Sequence, residues 1–171
     1  MPLDLFLKNI IVCSYHHNNT AKIAGKFSEV LNAQVLTPDK VIAEELQDYE
    51  LIGFGSGIDS GKHYEPLLDL ADRLPEVNKK PCFIFSTSGI QGKAKVEKDH
   101  SLLRQKLQSK GYIILDEFSS KGFNTNSFLK YLGGINKGKP DNFDLKNAEE
   151  FALRLLKKML IKNIYTCDFP H

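Results

Sequence analysis

This sequence has no tryptophan, only two methionines and only three cysteines among its 171 residues. Cys13, Cys82 and Cys167 are too few and too scattered for a disulfide framework or a zinc site, and none belongs to a CxxC pair. No apolar run is long enough to cross a membrane. These absences argue against disulfide-rich secreted, zinc-binding and membrane-embedded proteins, and they favour a reducing, cytoplasmic location.

The sequence also has no large excess of charge of either sign: it contains 23 basic and 21 acidic residues, and its net charge is +2. Such a balance gives no electrostatic footprint for nucleic acid or for a membrane surface, so neither is an expected partner. Asp4 and Lys8 interrupt the opening apolar run, which argues against a signal peptide. The length predicts one domain over residues 1–171, with a core at about 8–160 and a C-terminal tail at 161–171.

Short apolar runs alternate with helical patterns along the chain. The predicted strands are Asn9–Ser14, Gln34–Leu36, Glu50–Gly55, Pro81–Thr87 and Tyr112–Phe118. Helical spacing predicts helices near residues 20–31, 64–74, 96–107 and 145–159, and Asp144 is the expected N-cap of the last one. Three of the strands are apolar without alternation, as strands buried on both faces should be. We therefore predict an α/β fold with a doubly wound, five-stranded parallel sheet.

Ligands of such sheets bind beyond the carboxyl ends of the strands, which draws attention to the loops 14–20, 55–63, 86–93 and 118–127. The first loop reads Ser-Tyr-His-His-Asn-Asn-Thr and leads into a predicted helix. The amides and partial positive charge of a helix N-terminus suit a phosphate, and most of these side chains can form further hydrogen bonds. An ordinary polar turn with an N-cap at Asn19 or Thr20 is the alternative reading.

Other motifs are weaker. Gly53, Gly55 and Gly57 lack the glycine spacing of a dinucleotide fingerprint, and Ser60-Gly61-Lys62-His63 lacks two residues of a triphosphate-binding loop. Ser88 belongs to no nucleophile elbow. The strand ends carry no acidic cluster of the kind that holds magnesium in phosphoryl-accepting domains. His63 and His100 are isolated in sequence and are expected at the surface or packed against a helix face.

Four segments together resemble the flavodoxin family. Residues 14–20 are similar to its phosphate loop, with one residue more and with Asn18 where a glycine is usual. Residues 48–58 are similar to its third strand and first ring-contacting loop, and residues 85–89 to the loop on the other side of the ring. Residues 122–140, followed by a final helix, resemble a subgroup of short flavodoxin-like proteins. The resemblance covers about residues 8–160 and implies strand order 2-1-3-4-5.

This resemblance also implies FMN as a non-covalent cofactor. The implied FMN-binding residues are Ser14, His16, His17, Asn18, Asn19 and Thr20 for the phosphate, and Ser56, Gly57, Ile58, Ser86, Thr87, Ser88 and Gly89 for the isoalloxazine ring. Ile58 takes a position where an aromatic ring usually stacks, so Phe118, Phe123 or Tyr64 would have to supply one. No catalytic side chain and no metal are expected.

The implied function is electron transfer or NAD(P)H-linked reduction through the flavin, with a redox partner protein or NAD(P)H as the second participant. A flavodoxin-like binding or scaffold domain without productive flavin chemistry is the alternative. The sequence leaves the oligomeric state open, a homodimer included.

Overall fold

The computed structural model describes residues 9–14, 18–122 and 136–167. Its strands are β1 (Asn9–Ser14), β2 (Ala33–Leu36), β3 (Leu51–Asp59), β4 (Lys62–His63), β5 (Lys80–Ser88) and β6 (Tyr112–Lys121). Its α-helices are α1 (Asn19–Leu31), α2 (Glu65–Arg73), α3 (Lys93–Ser109) and α4 (Asn142–Cys167), and two short 3₁₀ helices lie between β2 and β3. The alternation of strands and helices predicted from the sequence is confirmed.

Five strands form a parallel sheet in the order β2-β1-β3-β5-β6. Numbered without β4, this is the predicted order 2-1-3-4-5. The short strand β4 pairs antiparallel with the end of β3 and was not predicted. The order reverses between β1 and β3, and this reversal opens a crevice at the carboxyl edge of the sheet.

The two faces of the sheet carry separate hydrophobic cores. One lies under α1 and α4 and contains Phe27, Phe83, Phe85 and Phe151. The other lies under α2 and α3 and is built mainly from aliphatic side chains of those helices and of β1, β3 and β5. Helices on both faces confirm the doubly wound arrangement.

The phenylalanine side chains of β5 explain why β3 has glycine at two positions. A Cβ atom at Gly53 would lie 2.4 Å from the ring of Phe83, and one at Gly55 would lie 2.2 Å from the ring of Phe85. The Gly-x-Gly spacing therefore makes room for phenylalanines of the neighbouring strand, which agrees with its rejection as a dinucleotide fingerprint.

The loop predicted at 55–63 is wrong for most of its length, because β3 continues to Asp59 and β4 begins at Lys62. Ser60 and Gly61 both have positive φ, at 50° and 78°, and join β3 to β4 in a two-residue hairpin turn. Such a turn requires left-handed residues at both central positions, and its backbone twist suits paired strands. Ser56, Gly57 and Ile58 thus belong to a strand.

The N-cap predicted for the last helix is also wrong. Asp141 caps α4, since its Oδ1 atom accepts the backbone N–H groups of Phe143 and Asp144, both at 3.0 Å. Asp144 lies inside the first turn and accepts the Asp141 N–H in return, as in a capping box. The helix continues beyond its predicted end near residue 159, as far as Cys167, because no helix-breaking residue occurs there before Pro170.

Candidate functional site

The start of α1 lies at the crevice between β1 and β3. Asn18, just before the helix, has φ 58° and ψ 5°, a left-handed conformation that asparagine tolerates better than most residues. The first turn of α1 has no acidic side chain. Its amides therefore form a positive helix end close to Ser14, the last residue of β1.

The beginning of α1 is fastened to β5 and to the end of β6. The hydroxyls of Thr20 and Thr87 lie 2.7 Å apart, and both residues are buried. A Cβ atom at Gly122 would lie 3.1 Å from Nδ2 of Asn19 and 3.3 Å from Thr87. Three chain segments therefore approach one another closely here, and glycine permits the closest approach.

The turn after β5 is held by its own side chains. The Ser88 hydroxyl donates to the carbonyl of Ile90 at 2.7 Å and accepts from the amide of Gln91 at 2.9 Å. The Gln91 amide also donates to the carbonyl of Ser120, and Asn136 donates to the carbonyl of Gly89 at 2.7 Å. The turn is thus anchored to the end of β6 and to the segment before α4.

An aromatic ring occupies the space beside Gly57. A Cβ atom at Gly57 would lie 2.4 Å from the hydroxyl oxygen of Tyr64, whose side chain is half-buried. Burial and the charge of Asp59 raise the pKa of Tyr64 above its ordinary value. Phe118 packs instead against the core rings of Phe27 and Phe151. Of the two candidates that the structure describes, Tyr64 is therefore the one beside this strand end.

On the opposite face, the same strand ends carry a buried polar network. The Ser56 hydroxyl lies 2.8 Å from Nδ1 of His63, which is 1% exposed. The ring of His63 lies 5.0 Å from that of His100, measured between centroids. Burial and the neighbouring His100 hold the pKa of His63 well below its usual value. Both histidines are inside the protein, so of the two expected positions the surface one is wrong, while His100 lies on the buried face of α3.

His100 connects Ser86 with Glu117. Its Nε2 atom lies 2.8 Å from the Ser86 hydroxyl and its Nδ1 atom 2.8 Å from a Glu117 carboxylate oxygen. Arg104 donates two hydrogen bonds to the same carboxylate, at 2.6 and 2.8 Å. Burial would raise the pKa of Glu117, but the hydrogen bonds from His100 and Arg104 outweigh it and lower the pKa to about 2.

Serine, histidine and carboxylate are ordered here as in a hydrolytic triad, yet Ser86 is 1% exposed and its hydroxyl donates to Ser119 at 3.0 Å. A nucleophile must reach its substrate, so this arrangement is a structural and electrostatic network. The sequence signal for it was the four-residue spacing of His100 and Arg104, which places both on one helix face.

The structure brings most of the predicted FMN-binding residues to one edge of the sheet. Ser14, Ser56 and Ser86 are paired in register across β1, β3 and β5, and Gly57 pairs with Thr87 one position further on. Asn18, Asn19 and Thr20 open α1, Ile58 is half-buried on β3, and Ser88 and Gly89 follow at the end of β5. His16, His17 and Phe123 lie outside the described residues.

Within the described ranges, no cluster of three or more histidine, cysteine or acidic side chains could hold a metal ion. Over the same part of the chain, no helix has the length and hydrophobicity that a membrane span requires. Cys82 is buried, as its apolar run predicts, and burial raises the pKa of its thiol.

Comparison with known proteins gives one close relative. The chain is 45% identical over 148 residues to the uncharacterized protein MJ0298 of Methanocaldococcus jannaschii, and the match covers 86% of this chain and 97% of that protein. No protein-family model matches the chain.

Solved structures of flavodoxins superimpose on nearly the whole chain. An archaeal flavodoxin has a TM-score of 0.60 at 18% identity and covers 89% of this chain and 98% of its own. Flavodoxin 2 from Bacillus cereus has a TM-score of 0.68 at 18% identity, and the match covers 88% of this chain and 99% of that flavodoxin. A WrbA-like flavodoxin from Agrobacterium tumefaciens has a TM-score of 0.62 at 15% identity, and the match covers 89% of this chain and 97% of that protein. The flavodoxin-like fold predicted from the sequence is confirmed.

Proposed function

The chain belongs to the same family as MJ0298 and has the flavodoxin-like fold, and from this premise we propose that it is an FMN-binding redox protein. It would carry electrons, or accept hydride from NAD(P)H, through the flavin. The observation that carries the proposal is the left-handed Asn18 at the head of α1, beside the crevice where the strand order reverses.

The residues at this edge fit the phosphate of FMN. Residues 19–22 begin a helix of 13 residues whose first turn has no acidic side chain. Unpaired amides and a partial positive charge at a helix N-terminus bind phosphate well. The Thr20 hydroxyl is already engaged by Thr87, so backbone amides, with the polar side chains of the loop, would hold the phosphate.

The residues around Gly57 fit the ring end. Tyr64 supplies a partly exposed aromatic side chain beside a strand position that has no side chain of its own. The turn at Ser88 and Gly89 presents a backbone that its hydrogen bonds keep in place. When bound, FMN supplies the one- or two-electron chemistry, while the protein binds and orients it.

Affinities for FMN and riboflavin, measured by quenching of flavin fluorescence, test the phosphate end. The substitution Asn18→Asp keeps the shape of the side chain and adds one negative charge at the head of α1. We expect it to weaken FMN binding about tenfold by charge repulsion and to leave riboflavin binding unchanged. Asn32→Asp is the matched control, because Asn32 is also left-handed, with φ 47°, and lies at the far end of α1.

Equal losses with both variants, or equal affinities of the wild-type protein for FMN and riboflavin, would contradict this phosphate site. A colourless protein that neither binds FMN nor gains thermal stability from it would instead favour the scaffold alternative. Saturating ligand should add about 2.7 kcal/mol at a hundredfold its dissociation constant, so the thermal measurement is sensitive.

Anaerobic stopped-flow mixing with NADH or NADPH separates the two redox roles. Flavin bleaching that saturates with nucleotide concentration identifies a reductase, and its absence leaves an electron carrier with a protein partner. A homodimer and a cytoplasmic location stay predictions, for which sedimentation and cell fractionation are the direct measurements.

A further inference from the structure

The Ser56 hydroxyl makes three close contacts on β3 and has one proton to give. It donates to the carbonyl of Gly57 at 2.7 Å and accepts the backbone N–H of Tyr64 at 3.0 Å. Its third neighbour is Nδ1 of His63, at 2.8 Å. A serine hydroxyl offers one donor and two acceptor sites, so the first two contacts leave one acceptor site for His63.

The donor and acceptor sites of the Ser56 hydroxyl determine the tautomer of His63. Because the Gly57 carbonyl cannot donate, it takes the Ser56 proton, and Nδ1 of His63 must then donate to Ser56. With the proton of His63 on Nε2 instead, Nδ1 would compete with the Gly57 carbonyl for the same hydroxyl proton. The tautomer of a buried histidine therefore decides whether the carbonyl of Gly57 has this hydrogen bond.

The surroundings of His63 favour the assigned tautomer. Its Nε2 atom is buried and has no hydrogen-bond partner among the described residues. An unpaired N–H at that position would lose more hydrogen-bonding energy than an unpaired lone pair. The groups facing the ring from other elements are His100 of α3 and, behind it, Glu117 of β6. The unpaired Nε2 is consistent with a neutral His63 that donates through Nδ1.

We propose that His63 is a positioning residue that directs the proton of Ser56 onto the carbonyl of Gly57, and so limits how well this carbonyl can accept a hydrogen bond from a bound ligand. The proposal rests on the function proposed above in naming FMN as that ligand. Reduced flavin carries an N–H group at N5 that oxidised flavin lacks. A carbonyl oxygen has two lone pairs, and one that already accepts the Ser56 proton is a weaker acceptor for a second hydrogen bond, which disfavours the reduced form. The hydrogen bond from Ser56 to the Gly57 carbonyl would therefore make the midpoint potential of the bound flavin lower than it would be without this bond.

The substitution Ser56→Ala removes the competing proton and frees the carbonyl. We expect affinity for reduced over oxidised FMN to rise about tenfold, which is a rise of about 30 mV in the two-electron midpoint potential. His63→Leu should shift the potential in the same direction but less, because the hydroxyl loses the partner that orients it. Ser56→Thr, which keeps the hydroxyl, and His63→Asn, whose amide can replace Nδ1–H, are the matched controls and should stay near the wild-type potential.

Nuclear magnetic resonance on the protein without flavin gives an independent readout. The ¹⁵N shifts of His63 should show a protonated Nδ1, and the ¹³C shift of the Gly57 carbonyl should move on Ser56→Ala and His63→Leu but not on His63→Asn. A protonated Nε2 in the wild type, or a Gly57 shift unaffected by Ser56→Ala, would overturn the inference. If Ser56→Ala does not fold, the two His63 variants decide it.

The two proposals fail in different ways. Wild-type protein that binds no FMN overturns the proposed function, while the magnetic resonance measurements still decide the role of His63. Wild-type protein that binds FMN, with the same potential in all four variants, overturns the role of His63 and leaves the function standing.

Discussion

Near the carboxyl edge of the sheet, the space between the sheet and its helices is filled by apolar side chains on one face and by polar side chains on the other. Under α1 and α4 the space is filled by phenylalanine rings, of which Phe27 contacts four others at 5.1–5.5 Å between centroids. Under α2 and α3 the equivalent space holds Ser56, His63, Ser86 and His100, all buried. The first face depends on volume and the second on hydrogen bonds between buried polar side chains, so different perturbations should break them.

The largest effect is expected at the centre of the aromatic face. Phe27→Ala should lower the free energy of unfolding by about 4 kcal/mol, because it removes a fully buried ring and leaves a cavity. Urea unfolding measures the loss, and Phe143→Ala, at an exposed position of α4, is the control, with a change of no more than about 0.5 kcal/mol. Since the lost contacts are apolar, the deficit should be the same at acid and neutral pH, and a strongly pH-dependent deficit would contradict this account.

A smaller effect is expected from adding volume to the same face. Gly55→Ala should cost about 3 kcal/mol, since its Cβ would lie 2.2 Å from the Phe85 ring within a packed core. Gly25→Ala is the matched control, because a Cβ at Gly25 meets nothing within 4 Å and alanine favours the helix by about 1 kcal/mol. Equal stability of the two variants would show that the ring of Phe85 moves aside without cost.

The difference between the faces also explains what the sequence could predict. Apolar periodicity and unbroken apolar runs were sufficient to predict α1, β1, β5 and the first half of β3, because strands buried on both faces are apolar at successive positions. Helical spacing placed the start of α1 within one residue, but the expected N-cap at Asn19 or Thr20 is wrong, because both residues lie inside the helix and Asn18 precedes it in a left-handed conformation. The aromatic face was accessible to this reasoning because the residues that fill its core are apolar.

The polar face was not accessible in the same way. His63, His100 and Glu117 lie far apart in sequence, and only the packing of α3 against β4 and β6 brings them together. A histidine that is isolated in sequence fits a surface position as well as packing against a helix face, and only the tertiary contacts distinguish the two. The hairpin at Ser60 and Gly61 was missed for a related reason, because glycines in the preceding strand hid where the turn began.

The polar face should respond to acid more than the aromatic one does. The pKa of Glu117 is about 2 in the folded protein against 4.5 as its ordinary value. A carboxylate with a lowered pKa stabilises the fold above the unfolded value, and this stability disappears as the pH falls from about 4.5 towards 2. After allowance for partial solvent screening, we expect about 2 kcal/mol to be lost over that range.

Glu117→Gln isolates this contribution. The variant should be less stable than the wild type at neutral pH, because Arg104 and His100 lose their charged acceptor. Its unfolding free energy should then fall less steeply below pH 4.5, so that the two proteins converge in acid. Parallel curves for wild type and variant across this range would show that Glu117 has no unusual pKa.

The smallest effect comes from the isolated polar pair on the aromatic face. The hydroxyls of Thr20 and Thr87 have only each other as described side-chain partners, at 2.7 Å, whereas Ser86 belongs to a network of several groups. Thr20→Val or Thr87→Val alone should cost about 1 kcal/mol by leaving one buried hydroxyl unpaired, and the double variant should cost little more than either single one. The unfolding free energies of the wild type, the two single variants and the double variant form a double-mutant cycle, which gives the coupling energy between the two hydroxyls. A coupling energy near zero would mean that the two hydroxyls find other partners, and the pair would then not fasten α1 to β5.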